Sequence, residues 1–279
     1  MLKQRLITAA ILVPLVVWGV LSLPTAYFAA VFAVIVVLGG WEWAALVGLT
    51  RGAQRAAYAL LIAVVLVLST RMFESPSTLF LVFLLSTLWW LAALLWLRHA
   101  NAAGVRSLAA WTHHSLVIGL FGVLVLVPPW LALVQLHRNG VAGGYLILLL
   151  MCVVWGADSG AYFSGRRWGH RRLAPNISPG KTWEGVYGGL AVATLIAVLG
   201  AVLIGFSGRT QFALVMLAVL AVLYSIVGDL FESMLKRATG IKDSGQLLPG
   251  HGGVLDRIDS LTAAAPVFCL GLMIQGVVQ

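Results

Sequence analysis

The acidic residues of this chain are concentrated in its second half. The sequence holds nine Asp and Glu against 18 Lys and Arg. Mg²⁺ in proteins usually binds one or two carboxylates and completes its shell with substrate phosphates, while Lys and Arg neutralise the remaining phosphate charge. Carboxylates and cations gathered together therefore predict a site for a nucleoside triphosphate and its metal. The acids concerned are Asp158, Glu184, Asp229, Glu232, Asp243, Asp256 and Asp259.

The stretch from 229 to 259 is the densest in reactive residues. Asp229 and Glu232 lie three positions apart, so they share one face if the preceding apolar helix continues. Lys236 and Arg237 follow one turn later, and an ion-pair ladder on a helix surface would have the same spacing. What comes next favours a site, because glycines free the backbone just before two acids. These following residues are Lys242, Asp243, His251, Gly252, Gly253, Asp256, Arg257 and Asp259.

A second stretch, from 155 to 185, combines glycines and arginines with the sequence SPGKT at 178–182. Its Gly-Lys-Thr resembles part of a nucleotide-binding loop, but that loop needs a glycine where this chain has Pro175. What remains is Ser178, Lys181 and Thr182 with backbone amides near a helix N-terminus, which suits an anion.

Four other residues have more than one interpretation. Asp158 is either a water-facing charge at a helix end or a ligand for metal or substrate. His251 has no Cys or second His at ligand spacing, so zinc is poorly supported, and His251 either binds substrate or hydrogen-bonds within its loop. Cys152 and Cys269 lie inside apolar runs, where packing explains them better than a disulfide or a metal.

The elements that must position these residues are transmembrane helices. The chain is 61% hydrophobic and 10% charged, whereas soluble domains carry about 25% charged residues. Its apolar runs approach the roughly 20 residues that a helix needs to cross about 30 Å of hydrocarbon, and they are continuous rather than alternating, which excludes a barrel. We therefore expect an all-α polytopic membrane protein with about nine transmembrane helices, near 6–23, 25–41, 56–70, 78–97, 115–136, 141–157, 186–206, 212–228 and 261–278.

The basic residues indicate the orientation of these spans. With a cytoplasmic N-terminus, nine spans leave only Arg71, Arg138 and Arg209 of the 18 Lys and Arg on the outer side, in line with the positive-inside rule. We expect the active site on the cytoplasmic side of a plasma (inner) membrane. We expect two regions. Residues 1–140 hold the N-terminal spans 1 to 5, and residues 141–279 form a catalytic region with spans 6 to 9 and cytoplasmic loops at 158–185 and 229–260.

The net charge of +9 bears on the partners. In a soluble protein it would suggest nucleic acid, but here the basic groups border apolar spans and no nucleic-acid module is evident. Anionic membrane lipid and charged small substrates are the expected partners.

The segment 233–259, SMLKRATGIKDSGQLLPGHGGVLDRID, resembles the signature of the phosphatidate cytidylyltransferases, also called CDP-diacylglycerol synthases, without departure from that pattern. WGADSGAY at 155–162 and SPGKTWEG at 178–185 are similar to further recurring stretches of that family. The resemblance covers residues 150–260 well. Before that, only hydrophobicity and the sequence WEW at 41–43 agree.

The resemblance implies a polytopic helical enzyme, typically a homodimer, that joins CTP and phosphatidate into CDP-diacylglycerol and diphosphate with Mg²⁺ and a stimulating K⁺. It implies that Asp229 and Asp256 bind the metal, and that Ser178 and Lys181 hold substrate phosphate as further catalytic residues. The remaining substrate-binding candidates are Lys236, Arg237, Lys242, Arg257, His251, Asp259, Asp158 and Thr182.

The expected reaction is in-line attack of the phosphatidate phosphate on the α-phosphorus of CTP. A phosphate monoester has a second pKa of about 6, so the nucleophile is ionised at neutral pH without a strong general base. Bringing two polyanions together is harder, and charge neutralisation and positioning should supply most of the rate.

Two other functions fit part of the sequence. A CTP-dependent lipid kinase of the polyprenol or phytol type has a similar membrane architecture, but the complete pattern at 233–259 argues against it. A transporter would place ionisable residues near the bilayer midplane and often shows repeated halves, whereas charges are almost absent from the span centres here.

Overall fold

The computed structural model of this chain describes residues 2–104, 115–245, 247 and 252–278. Within these residues the backbone forms nine helices and one short antiparallel β-hairpin. In chain order they are α1 (Leu2–Ser22), α2 (Thr25–Leu46), α3 (Gly52–Met72), α4 (Pro76–Ala103), α5 (Ser115–His137), α6 (Gly140–Trp168), β1 (Arg172–Ala174), β2 (Ser178–Thr182), α7 (Trp183–Ile204), α8 (Gly208–Ala238) and α9 (Leu255–Ile274).

Eight of the described helices, α2 to α9, are long and apolar enough to cross a membrane. The first helix, α1, is 21 residues long, and its described apolar part runs over Leu12–Ser22. Large apolar side chains point outward from the bundle, and Leu203 of α7 is 86% exposed, as suits a surface in contact with lipid. The prediction of an all-α, multi-pass membrane protein is therefore confirmed.

Two helices continue well past the apolar runs from which they were predicted. α6 extends to Trp168 and α8 extends to Ala238. Asp158 and Asp229 consequently lie inside helices and not in the two loops that the sequence suggested. Hydropathy marks only the part of a helix that can contact hydrocarbon, while the backbone hydrogen bonds of the helix continue beyond it.

A β-hairpin follows α6, where the sequence suggested a cytoplasmic loop. β1 and β2 pair antiparallel, with Arg172 opposite Thr182. The hairpin tip is tied to the end of α4, because Asn176 donates from its backbone N–H to Asn101 Oδ1 at 3.1 Å and from Nδ2 to the Asn101 carbonyl at 2.7 Å. This attachment fixes a short sheet that would be marginal on its own.

The start of α7 secures the base of the hairpin. Thr182 caps the helix, as its Oγ1 accepts a hydrogen bond from Gly185 N at 3.1 Å. Glu184, in the first turn, accepts the backbone N–H groups of His170 and Arg171 at 3.1 and 3.2 Å. An acid at this position also interacts favourably with the helix dipole. β2 therefore ends at Thr182 and the capped helix α7 begins at the next residue, with no loop between them.

Helices α6 and α7 pack closely because glycines line their contact. A Cβ atom at Gly160 would lie 2.9 Å from the Gly188 carbonyl, and one at Gly189 would lie 2.8 Å from the Ala157 carbonyl. Side-chain carbons do not approach carbonyl oxygens so closely, so only glycine permits this separation. Small residues at helix contacts are the usual route to tight packing in membranes, where lipid removes the hydrophobic drive for association.

Helix α9 is enclosed by other helices. It packs against α8, α5 and α4, and every residue from 260 to 270 is buried. Asp256 and Asp259 lie near the N-terminal end of this helix. Two of the predicted site residues are therefore attached to the centre of the bundle.

Candidate active site

A cavity of about 520 Å³ lies between α6, the hairpin, α7 and α8. Its size falls in the range of about 300 to 1,000 Å³ that is usual for small-molecule sites. Asp158, Lys181, Thr182 and Asp229 all line its wall, so the structure brings together predicted site residues from both motif segments. Arg166, Arg172 and Tyr162, to which the sequence assigned no individual role, line the same wall.

Lys181 and Asp229 form an ion pair on this wall. Lys181 Nζ lies 2.5 Å from Asp229 Oδ2, and the two side chains are 28% and 26% exposed. The other oxygen, Asp229 Oδ1, accepts a hydrogen bond from Ser233 Oγ at 3.3 Å. A partly solvated pair of this kind is only weakly favourable. A ligand phosphate can therefore replace Asp229 beside Lys181, and a metal ion can replace Lys181 beside Asp229.

A second ionic cluster lies further along α8. Lys236 Nζ is 2.6 Å from Asp256 Oδ1 and 3.0 Å from Glu232 Oε1, and none of the three side chains is more than 10% exposed. Asp256 Oδ2 also accepts the backbone N–H groups of Gly253 at 2.8 Å and Ser244 at 3.2 Å. Asp256 thus holds the loop before α9 as well as the lysine.

Asp259 links the two clusters through its charge interactions. It interacts electrostatically with Asp229 and Lys181 of the first cluster, and with Glu232 and Lys236 of the second. The two clusters are therefore parts of one charged region at the contact of α8, α9 and the hairpin.

Asp158 extends this region across the cavity from α6. It interacts electrostatically with Asp229, Lys181 and Arg257. Arg257 is exposed in the first turn of α9. The pocket consequently alternates carboxylates with cations, an arrangement that suits a polyanion bound together with a metal ion.

The other predicted site residues lie at the edge of this region. Ser178 begins β2 and is half-buried, Arg237 is exposed in the last turn of α8, and Lys242 is exposed just after that helix. In the part of the chain that the structure describes, the two ionic clusters do not include them. His251 lies outside the described residues.

The donor set fits a hard cation. Glu232 is buried, its Oε1 lies 3.0 Å from Lys236 Nζ, and its Oε2 has no hydrogen-bond partner among the described residues. Buried carboxylate oxygens without such bonds are costly, and they are the ligand type that Mg²⁺ prefers. No three His, Cys, Asp or Glu side chains converge on one point within residues 2–104, 115–245, 247 and 252–278. A Mg²⁺ ion here would need water or substrate oxygens to complete its shell, as it usually does.

Two acidic residues near this region were given no individual role by the sequence. The sequence showed Glu232 only as a neighbour of Asp229, although its i,i+4 spacing to Lys236 was a usable signal. Glu42 is completely buried in α2, and an acid in an apolar run demands partners, because it costs about 2.5 to 3.5 kcal/mol at mid-membrane. Its partners could not be found by spacing, since one of them, Val254, lies 212 residues away.

Comparisons with known proteins show the family of this chain. The model of the cytidylyltransferase family matches residues 3–274. Phosphatidate cytidylyltransferase of Pseudomonas aeruginosa is 47% identical over 277 residues, which cover 99% of this chain and 98% of that protein. The protein of the same name from Haemophilus influenzae is 39% identical over 289 residues, with 96% and 97% covered. A third, from Brucella suis, is 47% identical over 140 residues, about half of each chain.

The family match spans nearly the whole chain, including the N-terminal helices that contribute no residue to the two ionic clusters. It also agrees with the resemblance that the segment 233–259 suggested. The chain belongs to the cytidylyltransferase family.

Proposed function

We propose that this chain transfers CMP from CTP to phosphatidate, forming CDP-diacylglycerol and releasing diphosphate in phospholipid biosynthesis. The observation that carries the proposal is the Lys181–Asp229 pair on the wall of a cavity among membrane-crossing helices. The pair offers a cation and a carboxylate to the charged head group of a lipid substrate. Relatives named phosphatidate cytidylyltransferase match the chain over almost their full length, which supports the same activity.

The reaction makes one phosphorus–oxygen bond and breaks another. A phosphate oxygen of phosphatidate bonds to the α-phosphorus of CTP, and the bond from that phosphorus to the bridging oxygen of the β-phosphate breaks. Diphosphate leaves with the bonding electrons. The attacking phosphate is ionised at neutral pH, so the main task of the protein is to hold two polyanions in line.

The basic residues of the cavity perform most of this task. Lys181 binds a substrate phosphate in place of Asp229. Ser178, in the same strand β2, contributes its hydroxyl to that phosphate site. Arg172 and Arg166 offer guanidinium groups on the same wall, and such groups suit bidentate contact with phosphate oxygens. Lys236, Arg237, Lys242 and Arg257 are further partners for the triphosphate or for the lipid phosphate.

Asp229 and Asp256 hold Mg²⁺ in this proposal, with K⁺ as a possible second ion. When bound, Mg²⁺ neutralises charge on the phosphoryl oxygens and on the departing diphosphate. Glu232 interacts electrostatically with Asp256, and Asp259 interacts with Asp229, so each proposed ligand has a second carboxyl group nearby that can offer oxygens to a cation.

We further propose that the active site faces the cytoplasm from the inner membrane. CTP is a cytosolic nucleotide, the distribution of Lys and Arg favours this orientation, and phosphatidate can enter sideways from the same leaflet. The family resemblance also supports a homodimer. Crosslinking of the purified protein in detergent, with a monomeric band as the contrary result, tests that part.

The activity test uses the purified full chain in mixed micelles of detergent and phosphatidate. With CTP labelled at the α-phosphate, we expect label in the lipid, release of diphosphate, and loss of both when EDTA removes Mg²⁺. Label from the γ-phosphate in the lipid, with release of CDP, would instead identify a lipid kinase. If the lipid is labelled neither from α-labelled CTP nor from γ-labelled CTP while the chain is still folded, the proposal is overturned.

A further inference from the structure

Glu42 belongs to α2, yet its carboxylate contacts the loop that precedes α9. Its Oε1 accepts the Val254 N–H at 3.0 Å, and its Oε2 accepts the Leu255 N–H at 2.8 Å. Oε2 also accepts a hydrogen bond from Ser244 Oγ at 3.0 Å. Glu42 is 0% exposed. A buried acid on one helix is thus bonded to three donors near the start of another.

These contacts supply a cap that α9 lacks. The first N–H groups of a helix have no partner within it, and a side chain at the N-cap position usually accepts one of them. The N-cap residue of α9 is Val254, which makes no side-chain capping bond. Glu42 accepts two of these N–H groups in its place, and its negative charge lies at the positive end of the helix dipole.

The loop is shaped around this carboxylate. A Cβ atom at Gly245 would overlap Oε1 of Glu42 and lie 2.7 Å from its Cδ, and a Cβ atom at Gly253 would overlap Oε2 and lie 2.8 Å from Cδ. Neither glycine has a positive φ, whereas Gly252 has a φ of 81°. The space that Glu42 occupies therefore explains Gly245, and Glu42 together with the Ser244 hydroxyl explains Gly253.

The same contacts lead to the charged region. Ser244 donates its side-chain hydroxyl to Glu42 and its backbone N–H to Asp256 Oδ2 at 3.2 Å. Gly253, adjacent to Val254, donates its N–H to the same oxygen at 2.8 Å. Asp256 in turn pairs with Lys236. Glu42 thus bonds to Ser244 and Val254, and Ser244 and the neighbour of Val254, Gly253, are the residues whose backbone N–H groups bind Asp256.

We propose that Glu42 is a positioning residue of the active site, which acts through Ser244 and the start of α9 to set the place of Asp256 and, through it, Lys236. The inference rests on the proposed function. The position requires a carboxylate, because each of its oxygens receives a backbone N–H. A glutamine there would turn its own NH₂ group towards one of those donors in either orientation.

The first experiment compares Glu42→Gln with Glu74→Gln, the same change at an exposed acid between α3 and α4. We expect Glu42→Gln to lower kcat/KM for CTP by roughly 10- to 100-fold, because small displacements in an active site have effects of that size. We also expect it to raise the Mg²⁺ concentration needed for half-maximal activity, which a general loss of stability would not do. Glu74→Gln should match the unmodified chain in both measurements.

A second measurement does not depend on activity. Hydrogen exchange followed by mass spectrometry should show faster exchange in Glu42→Gln for the peptide that contains Val254 and Leu255, with no change in peptides from α3. If the unmodified chain transfers CMP and Glu42→Gln behaves like Glu74→Gln in activity, the inference is wrong while the proposed function stands. If the unmodified chain has no activity, the proposed function fails. If exchange at Val254 and Leu255 is the same in Glu42→Gln and in the unmodified chain, Glu42 does not hold these amides and the inference is wrong.

A third measurement covers the case in which Glu42→Gln does not fold. Gly245→Ala crowds the carboxylate, and Glu42→Asp shortens the side chain and makes room for the added methyl group. We expect Gly245→Ala to lower kcat/KM at least tenfold in the unmodified chain but less than about threefold in the Glu42→Asp background. Equal losses in the two backgrounds would show that the two positions act independently and would overturn the inference.

Discussion

Lys181 and Asp229 lie 48 residues apart in the sequence, yet Lys181 Nζ is 2.5 Å from Asp229 Oδ2. The lysine belongs to a strand of the hairpin and the aspartate to a long membrane-crossing helix. Their contact is the direct link between the two motif segments, and it lies on the wall of the cavity. A substrate phosphate can therefore replace Asp229 beside Lys181, and a metal ion can replace Lys181 beside Asp229.

Replacing Lys181 by alanine should mainly weaken substrate binding. The change removes a charged hydrogen-bond donor, and bonds to charged groups contribute about 1.5 to 3 kcal/mol, so KM for CTP should rise by roughly 10- to 100-fold. Steady-state assays over a CTP titration measure this. Arg71→Ala, which removes a cation exposed at the end of α3, is the control and should leave KM unchanged. An unaltered CTP dependence in Lys181→Ala would mean that this lysine is only a solvated flanking charge.

Replacing Asp256 by asparagine should abolish turnover while the protein stays folded in detergent. The change removes a proposed metal ligand and leaves Lys236 without one of its two ionic partners. Glu232 still pairs with Lys236 in this variant, so the bundle should remain folded while the proposed metal site is lost. Activity should fall below about a tenth of normal, while gel filtration and circular dichroism remain unchanged. Retention of more than that fraction in a folded variant contradicts the role given to Asp256.

Replacing Gly160 by alanine should destabilise the bundle. The added Cβ would lie 2.9 Å from the Gly188 carbonyl and would force α6 and α7 apart. Overpacking of this kind typically costs about 1 to 3 kcal/mol of unfolding free energy. Gly52→Ala is a matched control, because a Cβ there meets nothing within 4 Å. Unfolding in detergent, followed by circular dichroism, should separate the two variants, and equal stabilities would show that the contact tolerates a wider spacing.

Removing the tie between the hairpin tip and α4 should affect the activity through Lys181. Asn176→Ala removes the hydrogen bond from Nδ2 of residue 176 to the Asn101 carbonyl, whereas Asn101→Ala removes the acceptor of the bond from the backbone N–H of residue 176. We expect kcat/KM to fall several-fold, because the strand that carries Lys181 gains freedom. A double-mutant cycle with Asn101→Ala tests this, and we expect a coupling of about 1 kcal/mol. Strict additivity of the two changes would exclude the tie as the cause.

The helices could largely be predicted from the sequence, but their contacts could not. Apolar runs of sufficient length identify membrane spans because the hydrocarbon layer imposes a length. The continuation of α8 past Asp229 could be stated only as a condition, because hydropathy does not mark it. The hairpin escaped prediction because it depends on distant bonds, such as those from Asn176 to Asn101. Spacing along the chain carries no information on contacts of that kind.

The site itself shows the same division. The residues able to bind phosphate and metal were recognisable by type and by motif, and Lys181, Asp229 and Asp158 do share one cavity. The pairing of Lys236 with Asp256, and the burial of Glu232 beside them, follow from the packing of α8 against α9. Thr182 lines the cavity, but its hydroxyl oxygen is used to cap α7.

The contact of Glu42 with Val254 has a consequence for the biogenesis of the protein. The two residues are 212 positions apart, so a ribosome that adds roughly 5 to 20 residues per second needs on the order of 10 to 40 s to travel from one to the other. Throughout that interval the nascent α2 carries an acid whose amide partners have not been synthesised. The insertion machinery must therefore shelter this helix, or leave its acidic end at the water boundary, until the last helix emerges.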